Sequence, residues 1–280
     1  MKPKVLILRT AGVNCDKETE SAFSLAGAQT YLYHVNHIKE KNDLKSYQII
    51  ALPGGFSYGD DLGAGKILSL ELLLWFKDQL KAFIAKGGLI IGICNGFQVL
   101  VKTGILPDLD FKQTVTLDYN DSGRFEDRWV YLKIADSRVR SLPAGNKQMA
   151  DDKGQKKDEE KKIKKPENIW LKDLPEIINL PVAHGEGKFY AEKDILDRIE
   201  RFGQVALRYV DSKGKSNSYP FNPNGSVNDI AGITDVTGKV LGLMPHPERF
   251  MFKHQWPNWK ETEVSPFGLK FFENGIKYFK

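Results

Sequence analysis

Cys94 stands in the stretch Gly-Leu-Ile-Ile-Gly-Ile-Cys-Asn-Gly-Phe-Gln-Val-Leu, residues 88–100. The apolar run before it reads as a buried strand and the residues after it as a helix. A buried thiol is usually a small apolar filler. Here the strand–cysteine–helix order predicts a nucleophile elbow, in which a tight turn lifts the side chain out of the sheet end. Gly92 and Gly96 leave room around the turn. The following helix aims its N-terminus at the sulfur and favours negative charge there. The backbone N–H of Asn95 is then placed to meet a developing oxyanion.

A nucleophile needs a base. Of the five histidines, His246 lies in Gly-Leu-Met-Pro-His-Pro-Glu-Arg-Phe, just past an apolar run. In an extended segment His246 and Glu248 point to one side, so the carboxylate can fix the imidazole tautomer and stabilise its charged form. That is the base–orienter half of a triad, with Cys94 as its nucleophile. The plainer alternative pairs Glu248 with Arg249 or a surface lysine. A third element, Leu-Pro-Gly-Gly-Phe-Ser-Tyr-Gly-Asp-Asp-Leu-Gly-Ala-Gly at 52–65, ends a strand in a turn without side chains. It lacks the Gly-Lys-Ser/Thr ending of a phosphate loop and the spacing of a dinucleotide fingerprint. A second oxyanion donor at Gly55 is the better functional reading, beside a simple tight turn. Cys15 also follows a strand and precedes a helix. Asp16 beside it opposes negative charge on its sulfur, so packing is the expectation there.

The elements that must position these residues are legible in outline. Apolar runs near 4–10, 29–35, 47–52 and 89–93 alternate with amphipathic stretches near 16–27, 72–88 and 96–104, which predicts strands alternating with helices. Asn14 or Asp16 is available to cap the first helix. Such alternation implies an α/β fold with a mostly parallel sheet covered on both faces. After Pro107 the rhythm changes to short alternating strands near 113–120, 128–135, 188–191, 204–210, 230–236 and 239–245, with helices near 193–203 and 265–279. Additional antiparallel strands are therefore expected. Residues 144–168 stand apart, because almost everything from Asp151 to Lys165 is charged. Such a segment cannot bury enough apolar surface to offset its ordering entropy. The chain is read as one domain, 1–280, with a flexible charged insertion at about 144–168.

Composition bounds the function. The chain of 280 residues is 41% hydrophobic, enough for a sizeable core. No run approaches the length of a membrane helix, and the N-terminus enters a strand directly, so a cytoplasmic location without membrane attachment is expected. Two cysteines cannot build a disulfide framework, and no Cys/His spacing suggests a structural metal. The formal charge of +5 comes from lysines and arginines scattered among acids, which argues against nucleic acid.

The Pro-Gly-Gly turn, the Gly-Ile-Cys-Asn-Gly-x-Gln elbow and the Pro-His-Pro-Glu-Arg ending resemble class I glutamine amidotransferases, a flavodoxin-like family with a Cys-His-Glu triad. The stretches Gly-Phe-Ser-Tyr-Gly-Asp-Asp-Leu-Gly-Ala-Gly and Ala-His-Gly-Glu-Gly narrow this resemblance to the glutaminase subunits of phosphoribosylformylglycinamidine synthases. The resemblance runs over nearly the whole chain. It implies Cys94 as nucleophile, His246 as acid/base and Glu248 as its orienting group. Gly55 and Asn95 would supply oxyanion N–H groups. Gln98, one helical turn past Cys94, matches a glutamine that helps seat the substrate, with Gly54, His184 and Gly185 as further substrate contacts. Arg124, Glu126 and Arg128 would shape the surface meeting a synthase subunit. The implied substrate is L-glutamine, with no cofactor or metal in this chain. ATP and magnesium would sit on the large synthase partner, with a small third subunit completing the complex. Two rival readings stay open: an independent Cys-elbow hydrolase such as a gamma-glutamyl peptidase, and a non-catalytic scaffold.

Overall fold

The computed structural model describes residues 2–135 and 167–280, so nearly all of the predicted charged insertion lies outside the described residues. In chain order come β1 (Lys4–Arg9), α1 (Asp16–Leu25), β2 (Gln29–His34), α2 (Val35–Lys41), β3 (Ile49–Leu52), α3 (Lys66–Ala85), β4 (Leu89–Ile93) and α4 (Asn95–Lys102). The second half holds β5 (Val115–Tyr119), β6 (Glu126–Ile134), β7 (Ile177–His184), β8 (Glu186–Ala191), α5 (Lys193–Arg201), β9 (Val205–Val210), β10 (Ile230–Thr234), β11 (Val240–Leu243) and α6 (Gly268–Lys277).

Nine strands form one sheet in the order β2-β1-β3-β4-β11-β10-β9-β6-β7, while β5 and β8 pair separately. The five strands from β2 to β11 run parallel, and the strands from β10 onward extend the sheet antiparallel. This is the expected mixed α/β architecture. Every residue of β3, β4 and β11 is buried, as strands covered on both faces require. Helix α1 packs with α6, where Phe23 and Phe272 meet edge to face at 4.9 Å, and α3 packs with α4.

Helix α3 begins six residues before the predicted start and buries Leu68, Leu72, Phe76, Leu80 and Phe83 along one stripe. Helix α4 is buried from Asn95 to Val101. Its close seating depends on Gly96, where a Cβ would lie 1.9 Å from the Leu52 carbonyl oxygen. Helix α1 starts at Asp16 without a side-chain cap, so neither Asn14 nor Asp16 plays the predicted capping role. Asp16 instead reaches the Arg9 guanidinium at 3.3 Å.

Strand β7 has no counterpart in the sequence reading and carries Pro181 in its middle. It is tolerated because β7 is the edge strand, pairing only with β6. Its free side folds back toward the carboxyl ends of the parallel strands. The Pro181 carbonyl accepts the His246 N–H at 2.8 Å, and the Cys94 thiol lies 3.7 Å from the Ala183 carbonyl.

Candidate active site

Strand register brings the predicted residues together. Leu243 pairs with Ile93 across β11 and β4, and Leu52 pairs with Gly92 across β3 and β4. Continued past the strand ends, these registers set Cys94 level with Met244, one step on, and with Gly54, two steps on. The Cys94 N–H donates to the Leu243 carbonyl at 2.8 Å, which pins the elbow to the strand that leads to His246. Cys94 itself adopts φ 52° and ψ −107°, a backbone state that costs a non-glycine residue about 1–3 kcal/mol. The strain sits at the residue that the sequence singles out as nucleophile. Past it, the first N–H groups of α4, that of Asn95 among them, have no intrahelical acceptor.

His246 and Glu248 meet through a tight turn rather than the extended segment expected. Pro247–Arg249 forms a single 3-10 turn with His246 before it, and the fixed φ of Pro247 suits the first position of such a turn. His246 Nδ1 and Glu248 Oε1 are 2.6 Å apart, both side chains fully buried. Burial alone would lower the proton affinity of His246. The Glu248 carboxylate first, then the neighbouring Cys94, outweigh it and hold the ring well above its ordinary pKa. His246 Nε2 is buried without a hydrogen-bond partner among the described residues.

Gly54 lies where these groups converge. A Cβ there would stand 2.8 Å from His246 Cε1, 3.2 Å from Cys15 Sγ and 3.4 Å from Cys94 Cβ. A side chain there would collide with the His246 ring, so the absence of one lets these groups pack together over the turn. Gly55, beside it, has φ +138°, which favours glycine, and pairs with Val13 in an isolated antiparallel bridge. The Cys15 N–H donates to the Gly54 carbonyl at 3.2 Å and the Phe56 N–H to the Gly12 carbonyl at 2.9 Å, so the loop after β1 braces the turn after β3.

Two predicted contacts take a different form. The Gln98 amide nitrogen donates to the Glu186 carbonyl at 2.5 Å, and its oxygen accepts from Asn95 Nδ2 at 3.0 Å. Its side chain thus ties α4 to β8 rather than standing free for a ligand. Asn95 Nδ2 also reaches Asp60 Oδ1 at 3.1 Å. Burial, partly offset by hydrogen bonds from Gly65 and Asn95, raises the Asp60 pKa. His184 is buried, with Nδ1 3.0 Å from Asn120 Oδ1. The Asn120 amide nitrogen donates to the His184 and Arg124 carbonyls, so its oxygen is the acceptor and His184 carries its proton on Nδ1. Burial, with the nearby His246 charge, lowers the His184 pKa to about 3. The Gly185 carbonyl accepts the Asn120 N–H at 2.9 Å, which holds the adjoining loop.

Among the residues expected to shape a partner surface, Arg124 is exposed, but Glu126 is buried. Glu126 accepts from Ser122 Oγ at 2.7 Å and pairs with Arg128. Its inward turn follows from the period of β6, which alternates between core and surface.

The sequence reading missed Cys15. It is buried, yet the ligand-type atoms of Cys15, His246 and Glu248 all lie within 4.8 Å of one another. Arg249 Nη2 donates to Cys15 Sγ at 2.9 Å, so Arg249 serves Cys15 and not Glu248. Sulfur, imidazole and carboxylate together are a possible donor set for a soft divalent metal. The Arg249 guanidinium already places a positive charge against the sulfur, which opposes a second cation. No local signal marks Cys15, because the loop after β1 meets the turn after β3 only through long-range pairing.

A family profile for the CobB/CobQ-like glutamine amidotransferase domain matches residues 2–149 and 159–279. The chain belongs to the glutamine amidotransferases. A phosphoribosylformylglycinamidine synthase subunit PurQ of Dehalococcoides mccartyi is 43% identical over 282 residues, covering 99% of this chain and 98% of that one. The PurQ subunit of Treponema denticola is 39% identical, with 99% of each chain covered. Among solved structures, that of PurLQS from Thermotoga maritima matches over 100% of both chains at 28% identity and a TM-score of 0.70. A glutamine amidotransferase from the same organism, at 15% identity and a TM-score of 0.51, shares the fold. No helix among the described residues is long and apolar enough to cross a membrane.

Proposed function

We propose that this amidotransferase is the glutaminase subunit of a phosphoribosylformylglycinamidine synthase, and that Cys94, His246 and Glu248 are its triad. Cys94 Sγ, its proton already held on His246, attacks the side-chain amide carbon of L-glutamine. The oxyanion that forms is met by the N–H groups of Asn95 and Gly55. His246 then protonates the departing nitrogen, ammonia leaves, and a glutamyl thioester remains on Cys94. Water, deprotonated by His246, cleaves that thioester and releases glutamate. Glu248 holds the imidazole by Nδ1 and balances its charge in each proton step. Ammonia goes to a large ATP-dependent synthase subunit carrying magnesium, which converts formylglycinamide ribonucleotide to the amidine, with a small third subunit completing the assembly. The reaction belongs in the cytoplasm.

The observation that carries this reading is the elbow itself. A non-glycine residue held at φ 52° follows a buried parallel strand, within reach of a histidine paired at 2.6 Å to a buried carboxylate. Full-length relatives named as synthase subunits support the substrate and partner. The test is glutamate and ammonia release by the purified chain and by Cys94→Ala, each alone and with the synthase subunit, ATP, magnesium and the ribonucleotide. Ammonia release that survives Cys94→Ala would remove the nucleophile assignment. Cleavage of gamma-glutamyl peptides in preference to free glutamine would favour the independent hydrolase.

A further inference from the structure

Two thiols in one pocket pose a chemical question that glutamine hydrolysis leaves unanswered, since the mechanism above uses only Cys94. Both cysteines are free and buried. Each immediately precedes a helix of eight or more residues, Cys15 before α1 and Cys94 before α4. Cys94 directly follows β4, whereas Cys15 closes the loop after β1 and donates its N–H to the Gly54 carbonyl at the end of β3, the strand between β1 and β4 in the sheet. The intervening strand would normally fill that gap with a side chain. Here it ends in Gly54, and the point a Cβ would occupy is 3.2 Å from Cys15 Sγ and 3.4 Å from Cys94 Cβ. The His246 ring borders the same point, with Cε1 2.8 Å from it.

Packing alone does not account for Cys15. A filler thiol needs apolar neighbours, whereas this sulfur accepts from Arg249 Nη2 at 2.9 Å and donates to Asn14 Oδ1 at 3.3 Å. The guanidinium bonded to the sulfur and the helix that begins at the next residue set Cys15 apart from an apolar filler.

We infer that Cys15 is the resolving cysteine of a reversible oxidation site, closing a disulfide to Cys94 across the gap at Gly54 when the pocket meets a peroxide. The inference rests on reading Cys94 as the reactive nucleophile. In the first step Cys94 Sγ attacks one oxygen of hydrogen peroxide. The O–O bond breaks, leaving a sulfenic acid and hydroxide. In the second step Cys15 Sγ attacks the Cys94 sulfur, the S–S bond forms and the S–O bond breaks. A second hydroxide leaves, protonated by His246. The two thiols together lose two electrons, and the peroxide is reduced to two waters with the two thiol protons. The disulfide occupies the sulfur that attacks glutamine, so hydrolysis stops until a dithiol reductant restores both thiols. It also spares Cys94 the irreversible sulfinic and sulfonic acids that an unresolved sulfenic acid reaches under excess peroxide.

The test treats the full chain with hydrogen peroxide, blocks remaining thiols after denaturation and maps the cysteines by mass spectrometry. The expected product has lost two hydrogens, takes up no alkylating agent, and yields one peptide pair joining residues 15 and 94 within a single chain. Activity falls with that product and returns on reduction with dithiothreitol. In Cys15→Ser, and in Cys15→Ala as a second variant, Cys94 gains two or three oxygens. The activity of each, measured against its own untreated value, does not return. Wild-type chain with Cys94 over-oxidised while Cys15 remains alkylatable would overturn the inference. So would disulfides only between chains, or recovery of the Cys15 variants equal to wild type. The mapping needs no turnover. A cross-link in a chain that never hydrolyses glutamine removes the proposed function alone, and hydrolysis without the cross-link removes the oxidation site alone.

Discussion

Replacing Glu248 by Gln leaves His246 Nδ1 a hydrogen-bond acceptor but withdraws the charge facing the imidazolium. Replacing His246 by Ala removes both proton transfers, and general acid–base catalysis is worth about 10²–10⁴ in rate. Steady-state glutamate release should therefore fall by about that factor in His246→Ala and by less in Glu248→Gln. Because the carboxylate is the main influence raising the His246 pKa against burial, the limb of the pH–rate profile set by that ring should move to lower pH in Glu248→Gln. Equal profiles for Glu248→Gln and wild type would assign the orienting role elsewhere. His184 answers to pH through stability. Its folded-state pKa is depressed from 6.5 to about 3, so below 6.5 the unfolded chain binds a proton that the folded chain refuses. The stability due to His184 is complete above 6.5 and is lost as pH falls from there toward about 3. Thermal unfolding followed across that window should drop more steeply for wild type than for His184→Gln. Parallel curves would show that His184 takes up its proton in the folded state.

At the scale of elements, the site depends on loops held at the ends of neighbouring strands. Gly55 tests that dependence. Alanine there would have to adopt φ +138°, with a Cβ 2.6 Å from the Asn14 nitrogen and 2.8 Å from the Gly12 carbonyl oxygen. The turn must rotate away, and the Gly55 N–H goes with it. Loss of one oxyanion donor costs about 10²–10³ in turnover. Gly55→Ala should lower kcat by about that factor while the cooperative thermal transition is kept, since the turn lies outside the strands of the sheet. An unchanged kcat would mean that the N–H plays no part. The elbow and the His-Pro-Glu segment were legible in the sequence because their chemistry sits within a few consecutive residues. Strand–helix alternation was legible for the same reason, as each period is local. Cys15 and β7 were not. Membership of Cys15 in the pocket follows from pairing among β1, β3 and β4, and Pro181 suits β7 only because of its place at the sheet edge, both long-range facts. Glu126, which the resemblance assigned to a partner surface, is turned inward toward Ser122 and Arg128 by the register of β6.

Across the whole molecule, five separate pieces of backbone surround one pocket: the loop after β1, the turn after β3, the elbow after β4, the edge of β7 and the segment after β11. The turn that carries Gly55 belongs to no strand ladder and is braced by an isolated bridge and backbone hydrogen bonds to the loop after β1. Phe56, next to Gly55, is 43% exposed and its ring lies 6.2 Å from that of Phe125, also exposed. A subunit that feeds ammonia to a ligase gains nothing from hydrolysing glutamine alone, because ammonia released into water near neutral pH becomes unreactive ammonium. Docking of the synthase subunit should therefore reach the site through this turn, whose Phe56 is exposed beside Gly55, and aim the Gly55 N–H at the oxyanion. The chain alone should hydrolyse glutamine slowly, and the assembled complex with ATP, magnesium and ribonucleotide should raise the rate by about 10²–10³, the worth of one oxyanion donor. In Gly55→Ala the same assembly should raise it far less, since the donor cannot be restored. Steady-state glutamate release from the four combinations measures both effects. A chain as fast alone as in the complex would sink the coupled reading. Activation of Gly55→Ala equal to that of wild type would keep the coupling but move it to another element.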